Sequence, residues 1–256
     1  MPTWAADSMV FGASKMPNPM EFSLIIPAYN EAQRIGPTLW CFRQFLAARP
    51  ASFEIIVVDD GSTDETVALV AALADELPEL RVIQSPTNRG KGHAVRLGML
   101  AATGRVRLFS DADGSTPIAE LDKLLQALGE GADIAIGSRY LAASLVTRPQ
   151  PRFRIVWSRL VNRVVQHTLL PGVADPHCGF KAFTAAAAAQ IFPACTVAGW
   201  SFDLEVLATA RAQGFRIREV PVRWENDARS KARLRQLPRE FQAVYRLRKQ
   251  FRQVAA

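Results

Sequence analysis

Short, predominantly apolar runs recur along the first half of the chain, and each run stops at a polar turn that precedes a helical pattern. Such runs cover residues 22–27, 53–58, 81–83, 105–110 and 132–136. Runs of this length are typical of strands that are buried on both faces of a parallel sheet. Strands that alternate with helices at this spacing predict an α/β fold with a mainly parallel, Rossmann-like sheet, in which ligands bind at the carboxyl ends of strands.

Helical patterns fill the intervals between these runs. Asn30 is a plausible N-cap for a helix that extends to about residue 48. In the second half of the chain the alternation of strands and helices becomes less regular. The remaining predicted helices cover residues 67–77, 93–102, 116–128, 152–169, a stretch after residue 181, a stretch from residue 201 and residues 234–251, with a strand at residues 215–222. We therefore expect a tail over residues 1–20, an α/β domain over residues 21–232 and a basic amphipathic helix over residues 233–256.

Two aspartates follow the fourth apolar run, one residue apart. In an extended chain Asp111 and Asp113 point to the same side, so that their oxygens can converge on one hard divalent cation. Mg²⁺ and Mn²⁺ prefer such oxygen ligands and complete their shells with water and substrate phosphate. The pair predicts a metal site, although exposed loops also carry such pairs by chance.

Charge and cysteine content restrict the partners and the compartment. Residues 1–138 hold 11 lysines and arginines against 17 acidic residues, whereas residues 139–256 hold 20 against 7, which gives net charges of −6 and +13. The basic half predicts an anionic partner, which could be a membrane surface, a phosphorylated acceptor or nucleic acid. Cys41, Cys178 and Cys195 are too few and too far apart for a disulfide framework, so we expect a reducing compartment. The sequence has no secretory signal pattern and no apolar run long enough to span a membrane.

Seven motifs occur in order at the predicted loops and, taken together, resemble a known family. They cover residues 26–31, 57–64, 88–92, 111–115, 137–139, 175–183 and 200–205. The chain is similar to the family 2 glycosyltransferases of the GT-A fold over about residues 22–232. Within that family it most resembles the polyprenyl-phosphate sugar synthases, first the dolichyl-phosphate β-glucosyltransferase group and then the mannose synthase group.

The resemblance implies roles on the donor side. Pro27, Tyr29 and Glu31 would hold the base and ribose of a nucleotide-sugar, and the metal ligands would be Asp111 and Asp113, with Ser115 as a minor ligand. The other residues that the resemblance places beside the nucleotide-sugar are Asp59, Asp60, Lys91 and Ala112. Asp60 and Asp64 can instead be read as Asx-turn or helix-cap residues, Lys91 as a surface lysine, and Tyr29 as a packing residue.

On the acceptor side, the resemblance makes Arg139 the residue that meets a lipid phosphate, because an arginine fork matches phosphate oxygens. Asp175 is the first candidate for the carboxylate nearest the acceptor, with Asp203 and Glu205 as competitors. Further candidates for the anion pocket are Arg148, Arg152, Lys181, Arg229 and Lys231. Cys178 is expected to be a packing residue.

The predicted activity is a metal-dependent, inverting transfer of a hexose to a polyprenyl or dolichyl phosphate at the cytoplasmic face of a membrane. UDP-glucose is the first expected donor, with GDP-mannose and UDP-GlcNAc as alternatives. A soluble acceptor and a non-catalytic sugar-nucleotide-binding protein are the rival hypotheses. The last helix either rests on anionic lipid or packs on the core with a solvated basic face. No recognisable nucleic-acid-binding module is present, and we expect no such partner.

Overall fold

The computed structural model describes residues 9–11, 20–148, 152–227 and 237–254. The strands are β1 (Met9–Phe11), β2 (Phe22–Ala28), β3 (Phe53–Asp59), β4 (Leu80–Gln84), β5 (Val106–Ser110), β6 (Ile134–Ser138), β7 (Leu145–Arg148), β8 (Phe180–Thr184), β9 (Ile217–Pro221) and β10 (Arg223–Glu225). The helices are α1 (Ile35–Ala47), α2 (Thr66–Glu76), α3 (Lys91–Ala101), α4 (Leu121–Gly129), α5 (Arg152–Thr168), α6 (Ala185–Ala194), α7 (Phe202–Ala212) and α8 (Leu237–Val254), with a short 3₁₀ helix at Ile118–Glu120.

Eight strands form one sheet in the order β1-β4-β3-β2-β5-β8-β6-β9, and β7 and β10 pair separately. The neighbours β4, β3, β2 and β5 are parallel, and β6 is parallel to β9. Strand β8 lies between β5 and β6 and is antiparallel to both, so that β5 and β6 still run in the same direction. The carboxyl ends of six strands and the beginning of β8 therefore lie at one edge of the sheet, as the α/β pattern predicts.

The continuous apolar runs are explained by burial on both faces of the sheet. In β2, Ile25 belongs to the core beneath α3 and α5–α8, whereas Leu24 and Ile26 belong to the core beneath α1, α2 and α4. Because successive strand side chains point to opposite faces, both faces need an apolar residue.

Three local predictions differ from the structure. Helix α1 begins at Ile35, and Asn30 is not its N-cap; Asn30 has a left-handed φ of 55° and accepts hydrogen bonds from the backbone of Thr63 and Asp64. Strand β8 is absent from the predicted strands, and the helix predicted after residue 181 begins only at Ala185. Within the predicted tail, Met9–Phe11 pair with β4 at the sheet edge.

The two amphipathic helices pack on the core through part of their apolar residues. Val161 and Val165 of α5 are buried, whereas the neighbouring Leu160 is half exposed. In α8, Val244 and Leu247 are buried, while Tyr245 is 70% exposed. Within the described ranges, no helix is both long enough and apolar enough to cross a membrane.

Glu54 in β3 forms a buried polar centre that ties together β2, β4 and the end of α3. Its carboxylate accepts hydrogen bonds from Ser23 Oγ at 2.6 Å and from the Thr103 backbone N at 2.7 Å, and it pairs with Arg81 at 2.9 Å. Burial by itself raises the pKa of Glu54, but these hydrogen bonds and the Arg81 charge outweigh burial, so the pKa lies below its ordinary value.

Glu54→Gln is therefore expected to lower the free energy of unfolding by about 2 kcal/mol at pH 7, the usual loss for hydrogen bonds to a charged group. A lowered folded-state pKa stabilises the fold above the unfolded pKa, near 4.5, and the stabilisation is lost as the pH falls through the folded pKa. Urea titrations at pH 7 and pH 3 measure this. An undiminished difference at pH 3 contradicts the assignment to the charge.

Candidate active site

The two aspartates of the predicted metal site lie at the end of β5, where the loop before β8 and Lys91 of α3 approach them. The Asp111 backbone N donates to the Gly179 carbonyl at 3.1 Å, and Asp111 Oδ1 is 2.6 Å from Lys91 Nζ. Asp113 Oδ1 accepts a hydrogen bond from the Ser115 backbone at 2.9 Å. Burial, followed by the neighbouring Asp111 carboxylate, raises the pKa of Asp113. The carboxylates thus repel each other, a repulsion that a shared cation would relieve.

These two carboxylates fit a site for Mg²⁺ or Mn²⁺ that takes its other ligands from substrate and water. Within the described residues, no group of three or more His, Cys, Asp or Glu side chains is arranged to hold a metal ion. Mg²⁺ is usually bound in proteins by one or two carboxylates together with substrate phosphate oxygens and water. The Ala112 side chain, between the two aspartates, is buried in the core.

Gly179 is required by the close approach of the β8 loop to Asp111. A Cβ atom at position 179 would lie 2.0 Å from Asp111 Oδ2, which is far inside contact distance. Gly179→Ala is therefore expected to displace the Asp111 carboxylate and to reduce transfer by about a hundredfold, the effect of a misplacement of about 1 Å. Gly129→Ala is the matched control, because a Cβ there meets nothing within 4 Å. Steady-state transfer rates that are equal in the two variants would contradict this requirement.

Lys91 lies in the site and is not an ordinary surface lysine. Its Nζ lies 5.2 Å from the ring centre of Phe109 and 5.0 Å from that of Trp200. Burial lowers its pKa, but the charges of Asp111 and Asp203 outweigh burial and raise the pKa above the ordinary value. Lys91 therefore remains cationic beside the predicted metal ligands.

The turn that precedes Lys91 is held by Asp60. Asp60 Oδ1 accepts from the Arg89 backbone N at 2.9 Å, and Oδ2 accepts from the Gly90 backbone N at 2.7 Å. Gly90 has a φ of 107°, a left-handed conformation that favours glycine. Asp60, predicted to bind the nucleotide, uses both oxygens on this turn, which is distant in the chain, so it does not form the local Asx turn given as its alternative. Asp64 does make such a local contact, because its Oδ1 accepts from the Thr66 backbone N at 3.0 Å.

Asp59 differs from Asp60, because one of its two carboxylate oxygens accepts no hydrogen bond. Oδ2 accepts from the backbone N–H groups of Gly61 and Ser62, both at 3.1 Å. Oδ1 is buried without a hydrogen-bond partner, as is Oγ of the neighbouring Ser85. Buried polar atoms in native proteins are nearly always satisfied, so these two oxygens mark a place where a ligand donor is expected.

The predicted base-binding residues at the end of β2 are only partly available. Tyr29 is exposed and Pro27 half-buried, at the same sheet edge as Asp59. Glu31, however, accepts from Arg34 Nε at 2.6 Å. Arg34 was not predicted as a site residue: it also lies 3.3 Å from Asp227 and 3.9 Å from Asp113. No sequence motif marks Arg34, which is brought there by the turn before α1.

On the acceptor side, Arg139 and Asp175 form a buried, bidentate pair. Arg139 Nε and Nη2 each lie 2.7 Å from one Asp175 oxygen, and the Arg139 backbone N donates to the same carboxylate at 3.0 Å. Burial opposes both charges, yet the pair outweighs burial, so that the pKa of Asp175 is lowered and that of Arg139 is raised. Asp175 is 0% exposed, and its carboxylate is ionised and occupied by Arg139.

Two aromatic rings, neither predicted as part of the site, flank Arg139. Its guanidinium carbon lies 5.3 Å from the Trp224 ring centre and 5.6 Å from that of Tyr140. Nearby, an open cleft of about 550 Å³ extends from Asp113 to the β7–β10 sheet. Its lining comprises Asp113, Gly114, Ser115, Pro117, Arg148, Arg223, Glu225, Asn226 and Asp227.

Several predicted acceptor residues lie elsewhere. The prediction that Lys181 belongs to the anion pocket is wrong. Its side chain is 1% exposed, and its Nζ is 2.5 Å from Asp203 Oδ1, because β8 directs it into the core. Asp203 is thereby occupied, and Glu205 accepts from the backbone of Thr196 and Val197. Arg148 lines the cleft and pairs with Glu225. The Arg152 side chain, Arg229 and Lys231 lie outside the described residues. Cys178 is buried, as predicted, and burial raises its pKa to about 12.

Comparison with known proteins decides the family. The sequence profile described as Glycosyl transferase family 2 matches residues 23–192. This chain belongs to glycosyl transferase family 2. It is therefore a glycosyltransferase, and the predicted family and enzyme class are confirmed.

Several similar relatives are named dolichyl-phosphate β-glucosyltransferase. The Drosophila melanogaster protein is 38% identical over 218 residues, which cover 80% of this chain and 67% of the relative. The Saccharomyces cerevisiae protein is 35% identical over 234 residues, covering 83% and 69%. The Homo sapiens protein is 33% identical over 217 residues, covering 80% and 67%.

Solved structures confirm the GT-A fold. Glucosyl-3-phosphoglycerate synthase from Mycobacterium tuberculosis, in complex with Mn²⁺, UDP and phosphoglyceric acid, has a TM-score of 0.66 and 21% identity, covering 88% of this chain and 76% of that one. Mannosyl-3-phosphoglycerate synthase from Rubrobacter xylanophilus has a TM-score of 0.64 and 18% identity, covering 91% and 75%.

Proposed function

We propose that this family 2 glycosyltransferase moves glucose from UDP-glucose to the phosphate of a dolichyl or other polyprenyl phosphate. The names of its relatives support both the sugar and the acceptor. The observation that carries the proposal is the short loop from Asp175 to Gly179. Asp175 binds Arg139 at the end of β6, and the Gly179 carbonyl accepts from Asp111 at the end of β5. One loop thus holds an anion-binding arginine and a cation-binding carboxylate at the same edge.

The donor nucleotide is assigned to the ends of β2 and β3. The unpaired Asp59 Oδ1 is suited to accept from a uracil N–H or a ribose hydroxyl, and Tyr29 lies exposed at the same edge. Lys91 provides positive charge for the diphosphate. Asp60 acts through the turn that carries Lys91 and does not need to touch the ligand.

Asp111 and Asp113 are the residues that would hold Mg²⁺ or Mn²⁺. The two carboxylates repel each other, as the raised pKa of Asp113 indicates, and their oxygens are hard donors. Both properties fit such an ion. When bound, the ion supplies Lewis-acid stabilisation to the departing UDP. Lys91, 2.6 Å from Asp111, limits the negative charge of the pair before substrate arrives.

In the transfer step, an acceptor phosphate oxygen attacks the anomeric carbon of glucose, and the bond from that carbon to UDP breaks with inversion. A phosphate monoester has a second pKa near 6, so it is largely dianionic at pH 7 and needs no general base. Arg139 orients this phosphate: Asp175 uses its Nε and Nη2 atoms, which leaves Nη1 for the acceptor. Asp175 is accordingly a positioning residue.

A lipid acceptor requires contact with a membrane surface, and we assign it to the cytoplasmic face. Leu145 and Val146 of β7 and Leu160 of α5 are exposed apolar residues, and Arg148 and Arg159 beside them are exposed cations. Apolar residues with neighbouring arginines favour an anionic lipid surface. Flotation with phosphatidylserine vesicles, compared with phosphatidylcholine vesicles, tests the contact, and absence of the protein from both vesicle fractions contradicts it.

The deciding experiment is transfer of radiolabelled sugar with Mn²⁺ to a short polyprenyl phosphate. UDP-glucose, GDP-mannose and UDP-GlcNAc are compared as donors, and the corresponding polyprenol, which lacks the phosphate, is the matched acceptor control. We expect lipid product from UDP-glucose alone, none with polyprenol, and none after EDTA treatment. If another donor gives the product, the proposed donor sugar is wrong. If none of the three donors gives a lipid product, the proposed acceptor is refuted.

A further inference from the structure

Glu219 of β9 is a half-buried carboxylate that holds the backbone of the loop before β8. Its Oε2 accepts from the Ala174 backbone N at 2.6 Å, and its Oε1 accepts from the Asp175 backbone N at 2.9 Å. On the other side, Asn162 of α5 donates to the Ala174 carbonyl at 3.1 Å. The peptide units at this point are therefore held from both sides, and Glu219 satisfies two consecutive donors.

Asp175, in this loop, holds the side chain of Arg139 in its orientation. Asp175 has no exposed surface, and all three of its hydrogen bonds from Arg139 depend on the position of one carboxylate. Strand β9 pairs with β6 so that Glu219 lies opposite Ile136, three residues before Arg139. Glu219 is thus tied to the end of β6 both through the sheet and through the loop.

We propose that Glu219 is a positioning residue for the acceptor: through the backbone of residues 174 and 175 it fixes Asp175 and, with it, the phosphate-binding orientation of the Arg139 guanidinium. The assignment deepens the proposed function and rests on it for the identity of the acceptor. The fixing of Arg139 itself rests only on the contacts above.

Glu205 is a natural comparison, because its carboxylate also accepts from two consecutive backbone N–H groups, here through one oxygen. Its Oε2 accepts from Thr196 N at 2.8 Å and from Val197 N at 2.7 Å. This loop continues to Ala198, whose carbonyl accepts from Gly92 N at the beginning of α3, on the donor side. Glu205→Gln is therefore a matched change that does not act on Asp175.

The first measurement needs no activity. Phenylglyoxal reacts with accessible arginine side chains, and peptide mass spectrometry follows its addition to Arg139. Glutamine at position 219 directs an NH₂ group at one of the two backbone N–H donors. We expect Glu219→Gln to speed the modification of Arg139 about tenfold, as expected for loss of a charged hydrogen bond, and Glu205→Gln to leave it within twofold of wild type. An unchanged rate in Glu219→Gln overturns the proposal.

The second measurement separates positioning from general destabilisation. Glu219→Gln is expected to raise the acceptor KM about tenfold while kcat and the donor KM stay within twofold. In an Arg139→Lys background, where no fork can form, the same substitution is expected to add less than twofold. Equal effects in both backgrounds overturn the proposal, because they place the action of Glu219 elsewhere.

Two safeguards keep the outcomes distinct. If Glu219→Gln does not fold, Glu219→Asp replaces it, because aspartate keeps the charge but is too short to reach both backbone N–H groups. Glu219→Asp is expected to speed the labelling of Arg139, and labelling at the wild-type rate overturns the proposal. If the wild-type protein transfers no sugar to polyprenyl phosphate, the proposed acceptor is refuted, and the labelling result still decides the role of Glu219.

Discussion

Asp113→Asn is expected to lower the rate of sugar transfer at least about a hundredfold without lowering the melting temperature. The loss corresponds to the several kcal/mol of charge stabilisation that a metal ion supplies in a transition state. Stability is expected to be maintained, because burial and the Asp111 carboxylate already disfavour the charge of Asp113 and raise its pKa. Asparagine keeps an oxygen for the Ser115 backbone N–H, which lies 2.9 Å from Asp113 Oδ1.

The measurement combines radiolabel transfer with thermal unfolding in the presence of UDP and Mn²⁺. Ligands that bind only the folded state raise the melting temperature, so the wild type should gain stability that the variant does not. Asp122→Asn is the matched control, since Asp122 is a 63% exposed carboxylate that pairs with Arg49. If Asp113→Asn transfers sugar as fast as Asp122→Asn, the metal assignment is wrong.

Arg139→Ala is expected to lower the free energy of unfolding by about 3–5 kcal/mol, the typical effect of leaving one partner of a buried ion pair uncompensated. The reason is that Asp175 has no exposed surface and would lose the guanidinium that now makes two hydrogen bonds to it, keeping only the hydrogen bond from the backbone N of residue 139. Arg139→Ala combined with Asp175→Asn is expected to recover part of this loss, because asparagine carries no charge.

Urea denaturation of the single and double variants measures these changes. Arg148→Ala is the control, because Arg148 is 76% exposed and its ion pair with Glu225 is of the surface type. Such pairs contribute about 0–1 kcal/mol. Should Arg139→Ala prove no more destabilising than Arg148→Ala, the pair with Asp175 would not be the strong, buried contact that the geometry indicates.

The sheet and most of the motif positions could be predicted from the sequence because they depend on local patterns. Apolar runs such as residues 53–58 can be satisfied only by burial on both faces, and the polar turns after them must then lie at the carboxyl edge. The metal carboxylates, the glycine-rich turn before Lys91 and the arginine after β6 all follow from this rule.

The roles of the individual polar residues could not be predicted in the same way. Asp59 and Asp60 are adjacent and chemically identical, yet Asp60 uses both oxygens on the turn at residues 89–90 while Asp59 keeps one unpaired. Lys181 was predicted to meet a phosphate and is buried against Asp203. Which partner a charged side chain finds depends on residues distant in the chain, and no local pattern encodes that choice.

The sequence alone thus determined the α/β order and the residues that face the carboxyl edge, because hydrophobic periodicity and turn chemistry act over a few neighbouring residues. The glycosyltransferase family followed from the resemblance of its ordered motifs to that family. Only the tertiary structure decided that β8 enters the sheet antiparallel between β5 and β6, which brings Asp175 to Arg139 and Gly179 to Asp111. It also decided the contacts of Arg34, Trp224 and Glu219. These contacts are long-range, and they form only when packing has placed distant segments within hydrogen-bonding distance.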